Sequence, residues 1–113
     1  MKDLAPKIFR QRLIIEATLH SAIVKHKVDE YLKKLSKLLN MTLVMGPLTR
    51  ENLRYGFSSY IYWEESGTHF YYWHKPYPFL SVDIYTCKKF DVDTAVNFTE
   101  EFFGAKEIVF KSV

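Results

Sequence analysis

Apolar and polar residues alternate in two stretches of the chain, which is typical of β-strands with one buried face. In the first stretch, Glu16 faces away from a set of alternating apolar residues, namely Leu13, Ile15, Ala17 and Leu19. In the second stretch, residues 79–87, the alternating apolar residues are Leu80, Val82 and Ile84. Asp83 and Cys87 lie on the other face of this second strand, so each strand pairs an apolar face with a polar one.

Two other stretches have the apolar spacing of an amphipathic α-helix. The first has lysines on its outer face, and its apolar residues are Val28, Tyr31, Leu32, Leu35, Leu38 and Leu39. Asp29 and Glu30 are expected in its first turn, where acidic side chains suit the helix dipole. The second helix is predicted to begin near Asp91, a favourable N-cap residue, and to end at Gly104.

The remaining segments are predicted to form strands joined by turns. A β-compatible run at residues 41–45 is expected to end at Gly46-Pro47, where a polar loop begins. Residues 57–63 and 68–73 are rich in aromatic and β-branched residues and predict two adjacent strands. Residues 108–110 predict a last strand after the second helix.

The order of these elements is strand, helix, strands, and then strands, helix, strand, which indicates two similar halves. We therefore expect an α+β fold, a two-layer sandwich of an antiparallel sheet with helices on one face. Residues 1–113 should form a single domain, because this length supports one hydrophobic core and not two. The uncovered face of the sheet would carry aromatic residues together with Glu16, Asp83 and Cys87.

Aromatic residues are more numerous than one small core needs, with nine Phe, eight Tyr and two Trp. Some of them are therefore expected at an interface or a ligand site. An aromatic and polar sheet face of this size favours pairing with a second copy of the chain, so a homodimer is predicted.

Charge and cysteine content narrow the classes of function and location. The 16 basic and 13 acidic residues are spread along the chain without an arginine-rich run, so no nucleic-acid partner is expected. Cys87 is the single cysteine, which excludes an internal disulfide and fits a reducing compartment. No segment approaches the length of a membrane span, so we expect a soluble cytoplasmic protein without a membrane partner.

Several short segments stand in a characteristic order along the chain. They are Leu13-Ile14-Ile15-Glu16, Tyr55-Gly56-Phe57-Ser58-Ser59, Glu65-Ser66, Val82-Asp83-Ile84-Tyr85-Thr86-Cys87 and Asp91-Val92-Asp93. In this order and spacing the chain resembles the prokaryotic pyruvoyl-dependent S-adenosylmethionine decarboxylases, from Leu13 to about Val109. The resemblance implies decarboxylation of S-adenosylmethionine, which supplies the aminopropyl donor for spermidine synthesis, and a homodimer with sites near its interface.

The resemblance also implies that the chain cuts itself between Glu65 and Ser66. The serine hydroxyl attacks the preceding carbonyl and gives an ester, and β-elimination then leaves a dehydroalanine that hydrolyses to a pyruvoyl group and ammonia. Ser66 would thus become the cofactor at a new N-terminus. The pyruvoyl ketone condenses with the substrate amine and takes up the electrons left by departing carbon dioxide.

Further roles follow from the resemblance. Cys87 matches the proton donor of the family, and Ser58 matches a residue that assists processing. Glu16 matches a residue near the substrate, and we assign Asp83 to the same substrate-binding group. No aromatic residue stands where the family contacts adenine, and the rings of Phe57 and Tyr60 are candidates to compensate for it.

This chain differs from the family at two positions after the predicted cleavage point. The family has a histidine five residues after the serine, where this chain has Tyr71. Histidine side chains titrate near neutrality and tyrosine near pH 10, so a tyrosine is the poorer base for the elimination step. His69 shares a face with Tyr71 in a regular strand and could replace the histidine, whereas His74 could do so only if the strand contains a bulge. Gly67 also stands where the family commonly has histidine.

These departures leave three hypotheses open. The first is a self-processing decarboxylase of S-adenosylmethionine. The second is a decarboxylase on the same scaffold with another substrate, such as arginine. The third is an uncleaved, non-catalytic paralogue that acts as a binding or regulatory partner of an active copy. The reason for this hypothesis is that Tyr71 stands in place of the histidine of the family.

Overall fold

The structure is a computed structural model that describes residues 1–113, and it contains six strands and two helices. In chain order they are β1 (Gln11–Leu19), α1 (Lys25–Leu38), β2 (Leu43–Asn52), β3 (Gly56–Trp63), β4 (Ser66–Trp73), β5 (Phe79–Thr86), α2 (Val92–Phe103) and β6 (Ala105–Ser112). The strands form one sheet in the order β2-β3-β4-β5-β1-β6, with every neighbouring pair antiparallel. The predicted α+β sandwich is thereby confirmed. Neither helix has the length and apolar character that crossing a membrane requires.

The hydrophobic core lies between one face of the sheet and the two helices and contains 21 buried residues. Leu13 and Ile15 of β1 and Val82 of β5 are fully buried in it, as their alternation predicted. Glu16 and Asp83 lie on the opposite, uncovered face, which we call the open face. Burying each large apolar side chain contributes about 1.5–3 kcal/mol, so this layer accounts for much of the stability of the fold.

An aromatic cluster joins the helices to the sheet. The ring of Tyr31 on α1 lies 4.8 Å from that of Phe103 on α2 and 5.6 Å from that of Phe70 on β4. Its hydroxyl shares a hydrogen bond of 2.7 Å with Thr99 of α2. Complete burial raises the pKa of Tyr31 above its ordinary value, so this hydroxyl stays neutral and bonded.

The sequence predicted both ends of α2 correctly but not the start of α1. The Asp91 side chain accepts a hydrogen bond from the Thr94 amide, and Gly104 has a left-handed φ of 58°, so both predicted ends of α2 are confirmed. α1 begins at Lys25, earlier than predicted, and no acidic residue lies in its first turn. Val24 precedes it and offers no side-chain cap, so the sequence lacks the usual signal for a helix start.

The length of β2 differs from the prediction. β2 does not end at Gly46-Pro47 but continues to Asn52, with register shifts on both sides of Met45. A proline is tolerated here because β2 is an edge strand, where its missing amide leaves no neighbour unpaired. Gly46 is required because a Cβ atom there would lie 2.9 Å from the carbonyl oxygen of Tyr60.

Candidate active site

The predicted cleavage point lies in the tight turn between β3 and β4. Trp63 pairs with Ser66 across this hairpin, so Glu64 and Glu65 alone form the turn. Ser66 has a φ of +134°, a conformation that residues with a side chain rarely adopt. The peptide bond between Glu65 and Ser66 therefore joins the turn to a strained backbone.

A hydrogen bond holds the carbonyl group of this peptide bond. The backbone amide of Cys87 donates to the Glu65 carbonyl oxygen over 2.9 Å. The contact arises because Ser66 pairs with Thr86, the last residue of β5, and Cys87 follows directly. The structure thus brings Glu65, Ser66 and Cys87 together, and the Cys87 side chain is exposed.

The carboxylate of Glu65 is held from the other side of the turn. It accepts hydrogen bonds from the backbone amide of Thr42 over 2.8 Å and from the Thr42 hydroxyl over 2.9 Å. These bonds hold the pKa of Glu65 below its usual range, and Lys88 adds a smaller attraction of the same sign. The carboxylate is therefore bound to Thr42 and not directed at the serine that follows it.

Ser66 lines a cavity of about 470 Å³ on the open face of the sheet. His69 and Asp83, which face each other across β4 and β5, line the same cavity. Arg12 binds Asp83 through two hydrogen bonds of 3.0 and 2.8 Å, so this carboxylate is already paired. The cavity also has the rings of Tyr60, Tyr62 and Tyr85 in its wall, which gives it a mixed aromatic and charged lining.

His69 lies in a ladder of stacked rings on the open face. Its imidazole lies 4.4 Å from the ring of Tyr60 and 6.1 Å from that of Tyr71. The pairing of β4 with β5 has no bulge, so His69 and Tyr71 share a face as a regular strand requires. Because this bulge is missing, His74 does not turn onto the open face: its Nδ1 atom lies 3.2 Å from the hydroxyl of Tyr72, a core residue.

The other predicted site residues form a second group, further along the strands. Ser58 lies opposite Tyr71, and Tyr71 lies opposite Ser81, whose hydroxyl donates to Glu16 over 2.9 Å. This row lies five residues along β4 from Ser66, or about 16 Å. Ser58 and Tyr71 line a separate cavity of about 180 Å³. Within one chain, the second group is therefore apart from the cleavage point.

Phe57 lies in the core and not on the open face. It is 6% exposed, and its ring stacks on that of Tyr72 at 5.5 Å. The aromatic wall of the Ser66 cavity comes instead from Tyr60, the other ring predicted to compensate, and from Tyr62 and Tyr85, which were not predicted. Arg12 and Thr42 were also missed, since their partners become neighbours only once the sheet register and the loop contacts are known.

Comparisons with known proteins agree with this architecture. The adenosylmethionine decarboxylase of Aquifex aeolicus has a similar fold, with a TM-score of 0.77 and 18% sequence identity over 95% of this chain and 90% of that chain. No curated protein sequence matches this chain significantly. The S-adenosylmethionine decarboxylase family model matches residues 12–113, nearly the whole chain. The chain therefore belongs to the S-adenosylmethionine decarboxylase family.

Proposed function

We propose that this chain is a self-processing decarboxylase of S-adenosylmethionine whose pyruvoyl group derives from Ser66. One observation carries the proposal: the Glu65 carbonyl is bound by the Cys87 amide while Ser66, the next residue, has a φ of +134°. Family membership supports the substrate class. In this function the product would supply the aminopropyl donor for spermidine synthesis.

The first step would be the attack of the Ser66 hydroxyl oxygen on the Glu65 carbonyl carbon. Negative charge then develops on the carbonyl oxygen, where the Cys87 amide donates its hydrogen bond. One such donor typically accelerates acyl transfer by about 10²–10³. The peptide C–N bond breaks, the hydroxyl proton ends on the freed nitrogen, and an ester joins Glu65 to the Ser66 side chain.

The second step would be elimination from this ester, which needs a base for the Cα proton of Ser66. The ester C–O bond breaks, Glu65 leaves as a carboxylate, and the resulting dehydroalanine takes up water and releases ammonia. His69 is the proposed base, because it lines the cavity that Ser66 lines. Tyr71 lies in the second group and lines the other cavity.

The Ser66 cavity and the nearby Cys87, which does not line it, suit the proposed substrate. A pyruvoyl group would supply an electron sink for the electron pair that departing carbon dioxide leaves on the Cα atom of a bound amino acid. Cys87 is the proposed proton donor, since it is exposed and directly follows the strand that pairs with Ser66. Tyrosine rings attract cationic groups, so Tyr60 and Tyr62 would favour the sulfonium of S-adenosylmethionine.

A homodimer through the open face is part of the proposal. The second group, with Ser58, Tyr71 and Glu16, is too far from Ser66 to act on it within one chain. A second copy packed on the open face would bring its own Ser58 and Glu16, the members of the second group with proposed roles, towards the cleavage point. Tyr62 and Tyr71 support such packing, because they expose 43% and 38% of their surface on this face.

A second candidate function is that of an uncleaved paralogue that binds or regulates an active copy. Tyr71 is the observation that favours it, because tyrosine is a weaker base than the histidine of the family near neutral pH. In that case, replacing Tyr71 with histidine would give the chain a cleavage activity that the natural chain lacks.

The release of carbon dioxide tests the proposed function. Purified chain is incubated with carboxyl-labelled S-adenosylmethionine and, separately, with labelled arginine, and Ser66→Ala serves as the control that cannot form the pyruvoyl group. We expect release from S-adenosylmethionine alone, and none from the Ser66→Ala variant. Release from arginine alone would assign the other substrate. No release from either substrate would favour the uncleaved paralogue.

A further inference from the structure

Three chain segments meet at the turn that contains the cleavage point. Thr42, in the connection between α1 and β2, binds the Glu65 carboxylate twice, and its own carbonyl accepts from the Glu64 amide over 2.8 Å. The segment after β5 contributes the Cys87 amide to the Glu65 carbonyl. Lys88 ties these two outer segments to each other, because its Nζ atom donates to the Asn40 carbonyl over 2.6 Å.

We infer that Thr42 is a positioning residue for self-cleavage, which holds Glu65 so that its carbonyl stays on the Cys87 amide. This inference rests on the proposed function. Thr42 contacts the turn through three hydrogen bonds, two to the Glu65 side chain and one from the Glu64 amide. A two-residue turn fixed at this many points has little freedom to rotate its carbonyl away from the donor.

The charge of Glu65 strengthens this clamp. Hydrogen bonds to an ionised group are about twice as strong as those between neutral groups. The lowered pKa of Glu65 keeps its carboxylate ionised at neutral pH, where the Thr42 hydroxyl and amide both donate to it. Only the hydroxyl bond can be removed by a side-chain substitution that leaves the backbone intact, so Thr42→Val isolates its contribution.

The predicted defect lies in ester formation and not in elimination. Thr42 acts on the carbonyl that is attacked, whereas the proton lost in elimination comes from Ser66. Misplacing reacting atoms by about 1 Å can cost a hundredfold in rate. We therefore expect Thr42→Val to slow cleavage between about tenfold and a hundredfold, and Thr42→Ser, which keeps the hydroxyl, to remain close to the natural chain.

The experiment follows cleavage of freshly synthesised full-length chain over time, with and without hydroxylamine. Hydroxylamine cuts the ester directly and leaves Ser66 with a free amine, so cleavage in its presence reports ester formation alone. Thr42→Val should be slow under both conditions, at an unfolding temperature close to that of Thr42→Ser. A variant defective only in elimination would be slow without hydroxylamine and fast with it.

The outcomes separate this inference from the proposed function. If the natural chain cuts and Thr42→Val cuts as fast, the positioning role is wrong and the proposed function stands. If hydroxylamine restores the natural rate to Thr42→Val, the positioning role in ester formation is also wrong. A natural chain that never cuts would overturn both proposals. Slow cutting by Thr42→Val that Thr42→Ser does not share would support the inference.

Discussion

Ser66 combines a strained backbone with a bonded neighbouring carbonyl. A non-glycine residue in a sparsely populated region of φ and ψ costs about 1–3 kcal/mol, which the surrounding structure must supply. The paired strands on both sides of Ser66 supply it here, since Trp63 and Thr86 flank it in the sheet. Cleavage would release this strain, because φ of Ser66 exists only while the bond to Glu65 is intact.

His69 and Tyr71 can be told apart as bases by single substitutions. His69 lines the cavity of Ser66 in the same chain, so we expect His69→Ala to slow elimination about a hundredfold, within the range for general bases. Tyr71→Phe, the matched control on the same face, should change the rate less than threefold. The uncut ester, which hydroxylamine cleaves, should accumulate in His69→Ala, and mass spectrometry measures its fraction.

The reverse pattern would contradict this assignment. If Tyr71→Phe stops elimination and His69→Ala does not, the tyrosine acts in place of the family histidine. Because the second group lies about 16 Å from Ser66 along the strand, that result would also mean that a second copy supplies Tyr71.

At this scale the sequence predicted Ser66 and Cys87 as site residues, and the structure brings them together, but the residues that support them were not predicted. The strand patterns were compatible with contact between Ser66 and Cys87, and the resemblance assigned both residues to the active site. The contact between Thr42 and Glu65 could not be predicted, because the two residues are 23 positions apart in the sequence. They lie in loops whose paths depend on the packing of the sheet. Phe57 was assigned to the substrate by its aromatic character, whereas its face of β3 is the buried one.

The β3–β4 hairpin has no room for a side chain immediately after Ser66. A Cβ atom on Gly67 would lie 2.4 Å from the carbonyl oxygen of Ile61 and 3.0 Å from the hydroxyl of Tyr60. The histidine that the family commonly has at this position therefore could not be accommodated without moving β3. Glycine here keeps the two strands close and the turn tight.

Substitution of Gly67 tests this crowding. Gly67→Ala, made in a Ser66→Ala background so that all chains remain uncut, should lower the free energy of unfolding by about 1–3 kcal/mol in urea titrations, because the strands must separate. Gly104→Ala is the comparison variant: it has open space around the new Cβ but a left-handed φ, and should cost roughly 1 kcal/mol.

The rate of self-cleavage should also distinguish the Gly67→Ala variant from the Gly104→Ala variant. In the chain that retains Ser66, Gly67→Ala should slow cutting because it displaces the turn, whereas Gly104→Ala should leave the cutting rate unchanged. An alanine at position 67 that neither destabilises the chain nor slows cutting would show that the hairpin yields easily, and would contradict the rigid turn described here.

Elements whose signals are local were predicted well. Alternation identified β1 and β5, and Asp91 and Gly104 bounded α2, because each of these signals acts within a few residues. The predicted end of β2 at Gly46-Pro47 was too early. A proline usually ends a strand, and it is tolerated here because β2 lies at the edge of the sheet. Edge position is a property of the assembled sheet and has no mark in the sequence.

At the scale of the whole molecule, the helices cover one face of the sheet and leave the other open. The open face has the stacked rings of Tyr60, Tyr62, His69 and Tyr71, with neighbouring centroids 4.4–6.5 Å apart. Sequence analysis predicted an aromatic and polar face but could not rank its residues by exposure. The proposed homodimer would bury these rings and complete the site.

The homodimer is tested by a charge placed on the open face. Tyr62→Lys should shift the chain from dimer to monomer in sedimentation velocity at micromolar concentration, because each copy would bury a lysine charge in the contact between the two open faces. Leu53→Lys, in the exposed connection between β2 and β3, is the control and should leave the mass unchanged. A natural chain that sediments as a monomer at every concentration would contradict the dimer.

Self-processing at Ser66 is tested most directly by the intact mass of the purified natural chain. We expect two polypeptides, one ending at Glu65 and one beginning with a pyruvoyl group in place of Ser66, whose summed mass reflects gain of water and loss of ammonia. The Ser66→Ala variant should give one uncut chain. A natural chain that remains a single polypeptide with Ser66 intact after prolonged incubation would show that the chain does not process itself.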